Sequence, residues 1–116
     1  PETFVFCTVP HERRASLAHT QPLATIAEDE GLTLVISQIS ADDCGLQYEA
    51  TFRCISLEVH SSLEAVGLTA AVAGALAASA ISANMLAGYF HDHVLVPEHA
   101  ADEAMEVLDT LGHNLT

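Results

Sequence analysis

The sequence contains no lysine and no tryptophan, and its only strongly basic residues are Arg13, Arg14 and Arg53. Sixteen aspartate and glutamate residues give the chain a formal net charge of −13 at pH 7. A surface of this sign repels nucleic-acid phosphates, and the sequence has no basic stripe that would overcome the repulsion. We therefore expect no nucleic-acid partner and no attachment to an anionic membrane surface.

Cysteine is also scarce: Cys7, Cys44 and Cys54 form an odd set without CxxC spacing. Such a set fits a reducing compartment better than a disulfide framework. No charged-then-apolar signal segment opens the sequence, and the longest weakly polar run, residues 66–83, is rich in alanine and too weakly apolar for a membrane span. The sequence therefore predicts a cytoplasmic protein that does not cross a membrane.

Patterns typical of catalysis and cofactor binding are missing too. The cysteines fall in predicted strands and caps without a paired base, and His60 and Ser61 are adjacent, which is poor geometry for a Ser–His pair. Gly67 and Gly74 match neither nucleotide-binding fingerprint. We therefore predict that the protein is not an enzyme and uses no cofactor.

Half of the 116 residues are hydrophobic, which is enough for a core. Period-two alternation and turn residues predict strands, and apolar spacing of three and four predicts helices. The predicted elements are a strand at 3–9 covered on both faces, a loop or short helix at 10–21, a hairpin of 23–27 with 32–37, a short helix capped by Ser40 and stopped by Gly45, a strand at 50–60, a helix at 64–79, strands at 81–89 and 94–96, and a helix from Pro97 to a stop at Gly112.

From residue 50 the predicted order is β-α-β-β-α, and the earlier part is β-β-β-α. Both are pieces of the split βαββαβ unit of ferredoxin-like folds, and two imperfect tandem copies account for them better than one. The sequence thus predicts an α+β protein with antiparallel sheets, helices on one face, and units at 1–49 and 50–116. Two full units need eight strands and six are predicted, so strand sharing within or between chains stays open.

The run HSSLEAVGLT at 60–69, with ISAN at 81–84 and AGYFHDHVLVP at 87–97, resembles small bacterial ACT-domain proteins of unassigned role. These are similar to the paired ACT regulatory domains of aspartate kinase and to the arginine sensors upstream of mTOR. The resemblance is strongest over residues 50–112, and FVFCTVP and EGLTLV extend it more loosely into the first half. It implies a ferredoxin-like ACT fold and a sensor of small molecules, most often free amino acids.

The resemblance also implies where a ligand binds. In ACT domains the loop after the first strand turns through a glycine into a helix, where backbone amides and the helix dipole hold a small carboxylate. Here that loop is Ser61 to Thr69, and a strand of a paired unit forms the facing wall. The ligand-binding residues implied are Ser61, Ser62, Val66, Gly67, Leu68, Thr69 and Asn84. The alternative interpretation is that Gly67 permits close packing and the serines cap the helix.

His91-Asp92-His93 is a second candidate site. Residues two apart on a strand point to the same side, and in a βαββαβ unit His60 would lie near this hairpin tip. Together His60, His91 and His93 would suit a zinc, nickel or copper ion. Solvated histidines, or histidines that contact a ligand or a second chain, are the alternatives.

Three hypotheses follow. The first is a regulatory module that binds a free amino acid at an interface between ACT units. The second is a divalent-metal-binding module that uses the histidines. The third is a purely structural dimerisation domain, driven by sheet edges and by the Ala/Gly face of the helix at 64–79. All three include a homodimer, because ACT units pair and open sheet edges favour association.

Overall fold

A computed structural model describes residues 2–57 and 67–115, with side chains described as far as residue 112. The chain divides into an N-terminal unit, residues 1–51, and a C-terminal unit, residues 52–116. Each unit contains three described strands that pair antiparallel.

The N-terminal unit is built around strand β3, which lies between its two partners. Its strands are β1 (Thr3–Val9), β2 (Ala24–Glu28) and β3 (Gly31–Ser37), in the order β2-β3-β1. The segment after β1 forms two 3₁₀ helices, His11–Arg13 and Ala15–Thr20, and helix α1 (Gln38–Asp43) follows β3. The short turn at Asp29-Glu30 brings Gly31 so close to β1 that a Cβ there would lie 2.9 Å from the carbonyl oxygen of Val9.

Alternation along β1 and β3 builds the core of this unit. Leu17 from the second 3₁₀ helix and Ala41 from α1 cover one face of the sheet. The buried strand residues beneath them are Val5, Cys7, Val9, Leu32, Leu34 and Ile36. The other face of β1, with Phe4 and Phe6 half-buried and Thr8 exposed, is less covered than the sequence predicts.

Helix α1 begins three residues earlier than predicted. The Oγ of Ser37 accepts a hydrogen bond from the backbone N–H of Ser40, at 3.1 Å, so Ser37 is the N-cap and the assignment of Ser40 to that role is wrong. Since α1 opens directly from β3, the strand's last residue doubles as the cap.

The C-terminal unit contains the longer helices. Its elements are β4 (Phe52–Leu57), α2 (Leu68–Ala78), β5 (Asn84–Ala87), β6 (Asp92–Pro97), a 3₁₀ turn (Glu98–Ala100) and α3 (Ala101–Leu115). Strand β6 lies between β4 and β5. Val94 and Val96 of β6 are fully buried against Val72 and Leu76 of α2, and Ala104 brings α3 onto the same core. The helices therefore lie on one face of an antiparallel sheet, which confirms the predicted α+β class.

Several element ends in this unit differ from the predictions, and the backbone explains two of them. Helix α3 continues through Gly112 to Leu115, because Gly112 does not adopt the positive φ that would end a helix, so the predicted stop is wrong. Strand β5 begins at Asn84 rather than at residue 81. The preceding residues belong to the end of α2 instead: Ile81 N–H donates to the Leu76 carbonyl and Ala80 N–H to the Ala77 carbonyl, both at 2.9 Å.

These two hydrogen bonds define a Schellman motif in which Ala80 holds the left-handed position, with φ of 60°. A left-handed conformation costs a residue with a Cβ roughly 1–2 kcal/mol, whereas glycine adopts it readily. We therefore expect Ala80→Gly to raise the free energy of unfolding by about 1 kcal/mol, measured by urea denaturation. The control Ala73→Gly, in the middle of α2, should lower the free energy of unfolding by about 1 kcal/mol. Equal effects of the two substitutions would contradict the assignment.

Candidate functional site

The N-terminus of α2 is the part of the predicted ligand loop that the structure describes. Gly67 is the N-cap residue, with φ of 96°, and its carbonyl accepts the first helical hydrogen bond, from Ala71 N–H at 2.9 Å. The N–H groups of Leu68, Thr69 and Ala70 therefore have no partner within the helix. Among the described residues no side chain caps them. This helix end presents backbone donors and the positive end of the dipole.

The described residues also leave this helix end uncrowded. No described atom lies within 4 Å of the point that a Cβ on Gly67 would occupy, and Gly67 and Thr69 are exposed. The first turn of α2 contains no acidic residue. A small anion can therefore approach these amides without meeting a carboxylate of the helix itself.

Asn84 lies on the other side of the sheet from α2. Its neighbours Ala83 and Met85 both pack against the core beneath the helices, so alternation turns the Asn84 side chain to the opposite face. It is exposed, and its Nδ2 donates to the Leu95 carbonyl oxygen at 3.5 Å. Within the C-terminal unit, Asn84 and the N-terminus of α2 are thus not brought together.

Four residues predicted to bind a ligand or metal fall outside the described residues. They are His60, Ser61, Ser62 and Val66.

The histidine tip differs from its predicted geometry. The turn between β5 and β6 is closed by a 2.9 Å hydrogen bond from Gly88 N–H to the His91 carbonyl, so His91 lies in the turn and only His93 is on the strand. The Nδ1 of His93 is 2.8 Å from the Oγ of Ser56 on β4. Within residues 2–57 and 67–115, no group of three or more His, Cys, Asp or Glu residues could hold a metal ion.

The sequence analysis missed what surrounds His93. Cys54 and Ser56 are two apart on β4, and Ser56 is opposite His93 in the register, so the three side chains share the sheet face away from α2. Burial raises the pKa of the Cys54 thiol, and a hydrogen bond with the Ser56 side chain lowers it by less. Cys54 is therefore a protonated thiol at neutral pH, and the arrangement favours binding over nucleophilic chemistry.

The turn also exposes two aromatic rings that the sequence analysis did not single out. Tyr89 and Phe90 are 80% and 78% exposed, and their ring centroids lie 5.0 Å apart at an interplanar angle of 71°. The available signal was a glycine followed by two aromatic residues at the end of the strand predicted over residues 81–89.

Two family models match the chain, both described as ACT domain, over residues 1–53 and 49–110. The chain belongs to the ACT-domain family. ACT domains are in general regulatory modules that bind small molecules such as amino acids, and are not catalytic. The predicted resemblance and the two tandem ferredoxin-like units are therefore confirmed.

Solved structures agree with this assignment. A Vibrio cholerae protein of unknown function, VC0802, described as a possible transport protein, is 45% identical, with a TM-score of 0.87 over 96% of this ACT chain and 84% of its own. Agrobacterium tumefaciens Atu0741 is 13% identical, with a TM-score of 0.72 over 96% of this chain and 84% of its own. Aspartokinase alpha and beta subunits are 12% identical, with a TM-score of 0.66 over 97% of this chain and 93% of their own. The last two show the fold alone.

No curated protein sequence matches the chain. In the described part of this ACT protein, no helix has both the length and the apolar character needed to cross a membrane.

The geometry of the turn before His93 predicts a strong effect of Gly88→Ala. A Cβ on Gly88 would lie 2.5 Å from the His91 carbonyl oxygen, which accepts the turn's own hydrogen bond. We expect this substitution to lower the free energy of unfolding by roughly 1–3 kcal/mol in urea denaturation. Gly112→Ala is the matched control: its Cβ meets no described atom and its site is helical, so it should stabilise by about 0.5–1 kcal/mol. A Gly88→Ala protein as stable as wild type would show that the turn is not closed in this way.

Proposed function

We propose that this ACT protein is a regulatory sensor of a free amino acid, whose carboxylate binds at the N-terminus of α2. The observation that carries the proposal is the helix end at Gly67, where three backbone amides have no partner within the helix and no described side chain caps them. Because amide donors and the helix dipole act together there, a carboxylate is the group this end suits best. The rest of the loop, Ser61 to Val66, would complete the site.

The charge distribution supports this position. Residues 65–91 contain no aspartate or glutamate, although the whole chain has sixteen. Helix α2 and strand β5 thus carry no acidic side chain of their own in an acidic protein. The net charge of −13 favours a ligand with a cationic side chain, since the surrounding field attracts such a molecule.

Asn84 belongs to this proposal as part of a facing wall. Its side chain lies on the sheet face away from α2, so it would contact a ligand held by the helix end of a paired unit rather than of its own. Its amide oxygen is an acceptor that suits the ligand's ammonium group.

A homodimer is part of the same proposal. Strands β2 and β5 are each at an edge of the sheet of their own unit, and sheet edges favour pairing with another chain. Helix α2 also exposes Ala70, Gly74 and Ala77, a smooth surface that permits close approach. We further propose that the protein acts in the cytoplasm, without catalysis or cofactor.

The test is a thermal-shift screen against the twenty amino acids and a set of divalent metals, with and without chelator. A ligand at a hundredfold excess over its dissociation constant stabilises the folded state by about 2.7 kcal/mol, so one amino acid should raise the melting temperature by several degrees. Gly67→Val should abolish that shift, because valine at a φ of 96° distorts the helix end and covers its amides.

Gly45→Val is the matched control. Gly45 also has a positive φ, 67°, and no described atom near its Cβ position, but it follows α1 in the N-terminal unit. Both variants should melt lower than wild type, and only Gly67→Val should lose the ligand-induced shift. If only a metal stabilises the protein, and His91→Ala removes the effect, the histidine hypothesis replaces this one. If nothing stabilises it, the sensor proposal is wrong.

The proposed homodimer is tested by measuring the mass of the protein in solution. Light scattering after gel filtration should give twice the 12.3 kDa mass of the chain at micromolar concentration. A monomer that nevertheless binds the amino acid would reject the facing-wall role of Asn84 and leave the helix-end site in place.

A further inference from the structure

A cysteine and a histidine far apart in sequence meet in the N-terminal unit. The Sγ of Cys44, which follows α1, lies 3.8 Å from the Nε2 of His19, in the last turn of the 3₁₀ helix Ala15–Thr20. His19 is exposed and Cys44 partly exposed, so small molecules in solution can reach the pair. Their contact depends on the fold, since 25 residues separate them in sequence.

The hydrogen bond at Nδ1 of His19 determines which of the two ring nitrogens carries the hydrogen in the neutral ring. Nδ1 lies 3.0 Å from the Ser16 carbonyl oxygen, which can only accept a hydrogen bond. In the neutral ring the hydrogen is therefore on Nδ1, and the lone pair of Nε2 faces the thiol of Cys44. A nucleophile, a base and a group that orients the base are thus arranged in series.

The other two cysteines are in different surroundings. Burial raises the pKa of the Cys7 thiol, which lies in the core, and also that of Cys54. Among the described residues, neither is within hydrogen-bond distance of an imidazole, as Cys44 is. A reagent that requires a thiolate should therefore distinguish Cys44 from Cys7 and Cys54.

We propose that Cys44 is a site of covalent modification by low-molecular-weight disulfides, with His19 as the base. As Sγ attacks one sulfur of the disulfide, its proton moves to Nε2 of His19. A new S–S bond forms at Cys44 while the reagent's own S–S bond breaks, and the departing thiolate takes the proton from His19. The products are one mixed disulfide on the protein and one thiol, and the reagent itself is the oxidant.

The surrounding charge selects among such disulfides. Asp42 and Asp43 immediately precede Cys44, and the position is at the C-terminal, negative end of α1. Neither feature stabilises a thiolate, so the reaction depends on His19 as proton acceptor. Both features disfavour an anionic reagent, and the proposed partner is therefore a neutral or cationic disulfide.

The test measures the rate at which native protein reacts with neutral 4,4′-dithiodipyridine at pH 7, followed by release of the thiopyridone. Because the imidazole accepts the proton as the sulfur attacks, we expect Cys44 to react roughly tenfold faster than glutathione. Cys44→Ser should remove the fast phase, and Cys7→Ser and Cys54→Ser should keep it. The dianionic reagent 5,5′-dithiobis(2-nitrobenzoate) should show less acceleration relative to glutathione.

His19→Gln, which keeps a polar group but cannot take the proton, should slow the fast phase to the glutathione rate. Because a loss of packing would also alter the rate, the second measurement is chemical rescue: added imidazole should accelerate Cys44 in His19→Ala, and should not accelerate it in wild type. A Cys44 that reacts no faster than glutathione, or an unchanged rate in His19→Gln, would overturn the proposal. So would rescue that fails while circular dichroism shows a folded variant.

Discussion

Burial of one face of each antiparallel sheet is the constraint on which the rest of the structure depends. In the C-terminal unit Val94 and Val96 are fully buried under α2, so the alternation of side chains leaves His93 on the other face. The same alternation places the side chains of Met85 and Asn84 on opposite faces of β5. A shift of one residue in β6 would place His93 in the core beneath α2 and remove Val94 and Val96 from it, and the cost of burying an imidazole there disfavours such a shift.

Both ends of α2 depend on left-handed residues, with different consequences. At the C-terminal end the Schellman hydrogen bonds place Ile81 in the core, and the packing of Ile81 against Leu76 holds Ala80 in a conformation that alanine disfavours. At the N-terminal end Gly67 adopts its positive φ without steric cost and leaves the amides uncovered by described side chains. Backbone hydrogen bonds thus satisfy the C-terminal end of α2, whereas no described side chain caps the N-terminal end, where a ligand is proposed to bind.

The element types were predictable because strand and helix periodicities are strong in this chain. The alternation of Ile55 and Leu57 with Cys54 and Ser56 predicts β4, and the four-residue spacing of Leu68, Val72 and Leu76 predicts α2. The ends were less predictable. Ser37 and Ser40 are both good caps, and only the hydrogen bond between them shows which one acts. Gly112 is a typical helix stop, but it keeps a helical conformation and α3 continues to Leu115.

The candidate site was less predictable than the fold, because it depends on which faces meet. The sequence brought Asn84 and Gly67 into one site by resemblance, and within one unit the sheet separates them. His91 and His93 suggested a pair on a strand, whereas the hydrogen bond from Gly88 places His91 in the turn. The contact between His19 and Cys44 joins two segments that the sequence shows only as a polar loop and a helix end, so no local pattern could have indicated it.

A protein of net charge −13 should repel a carboxylate ligand, but this repulsion weakens with distance because dissolved salt screens it. At physiological salt the interaction between exposed charges is largely screened beyond about 8 Å, so most of the sixteen acids contribute little at the end of α2. The local features there are three backbone amides without a partner in the helix, the dipole of an eleven-residue helix, and no acidic side chain in its first turn. Under the proposal, only acidic side chains close to the other end of the ligand would favour a positive charge there. An amino acid with a cationic side chain is therefore the ligand class that the proposal favours.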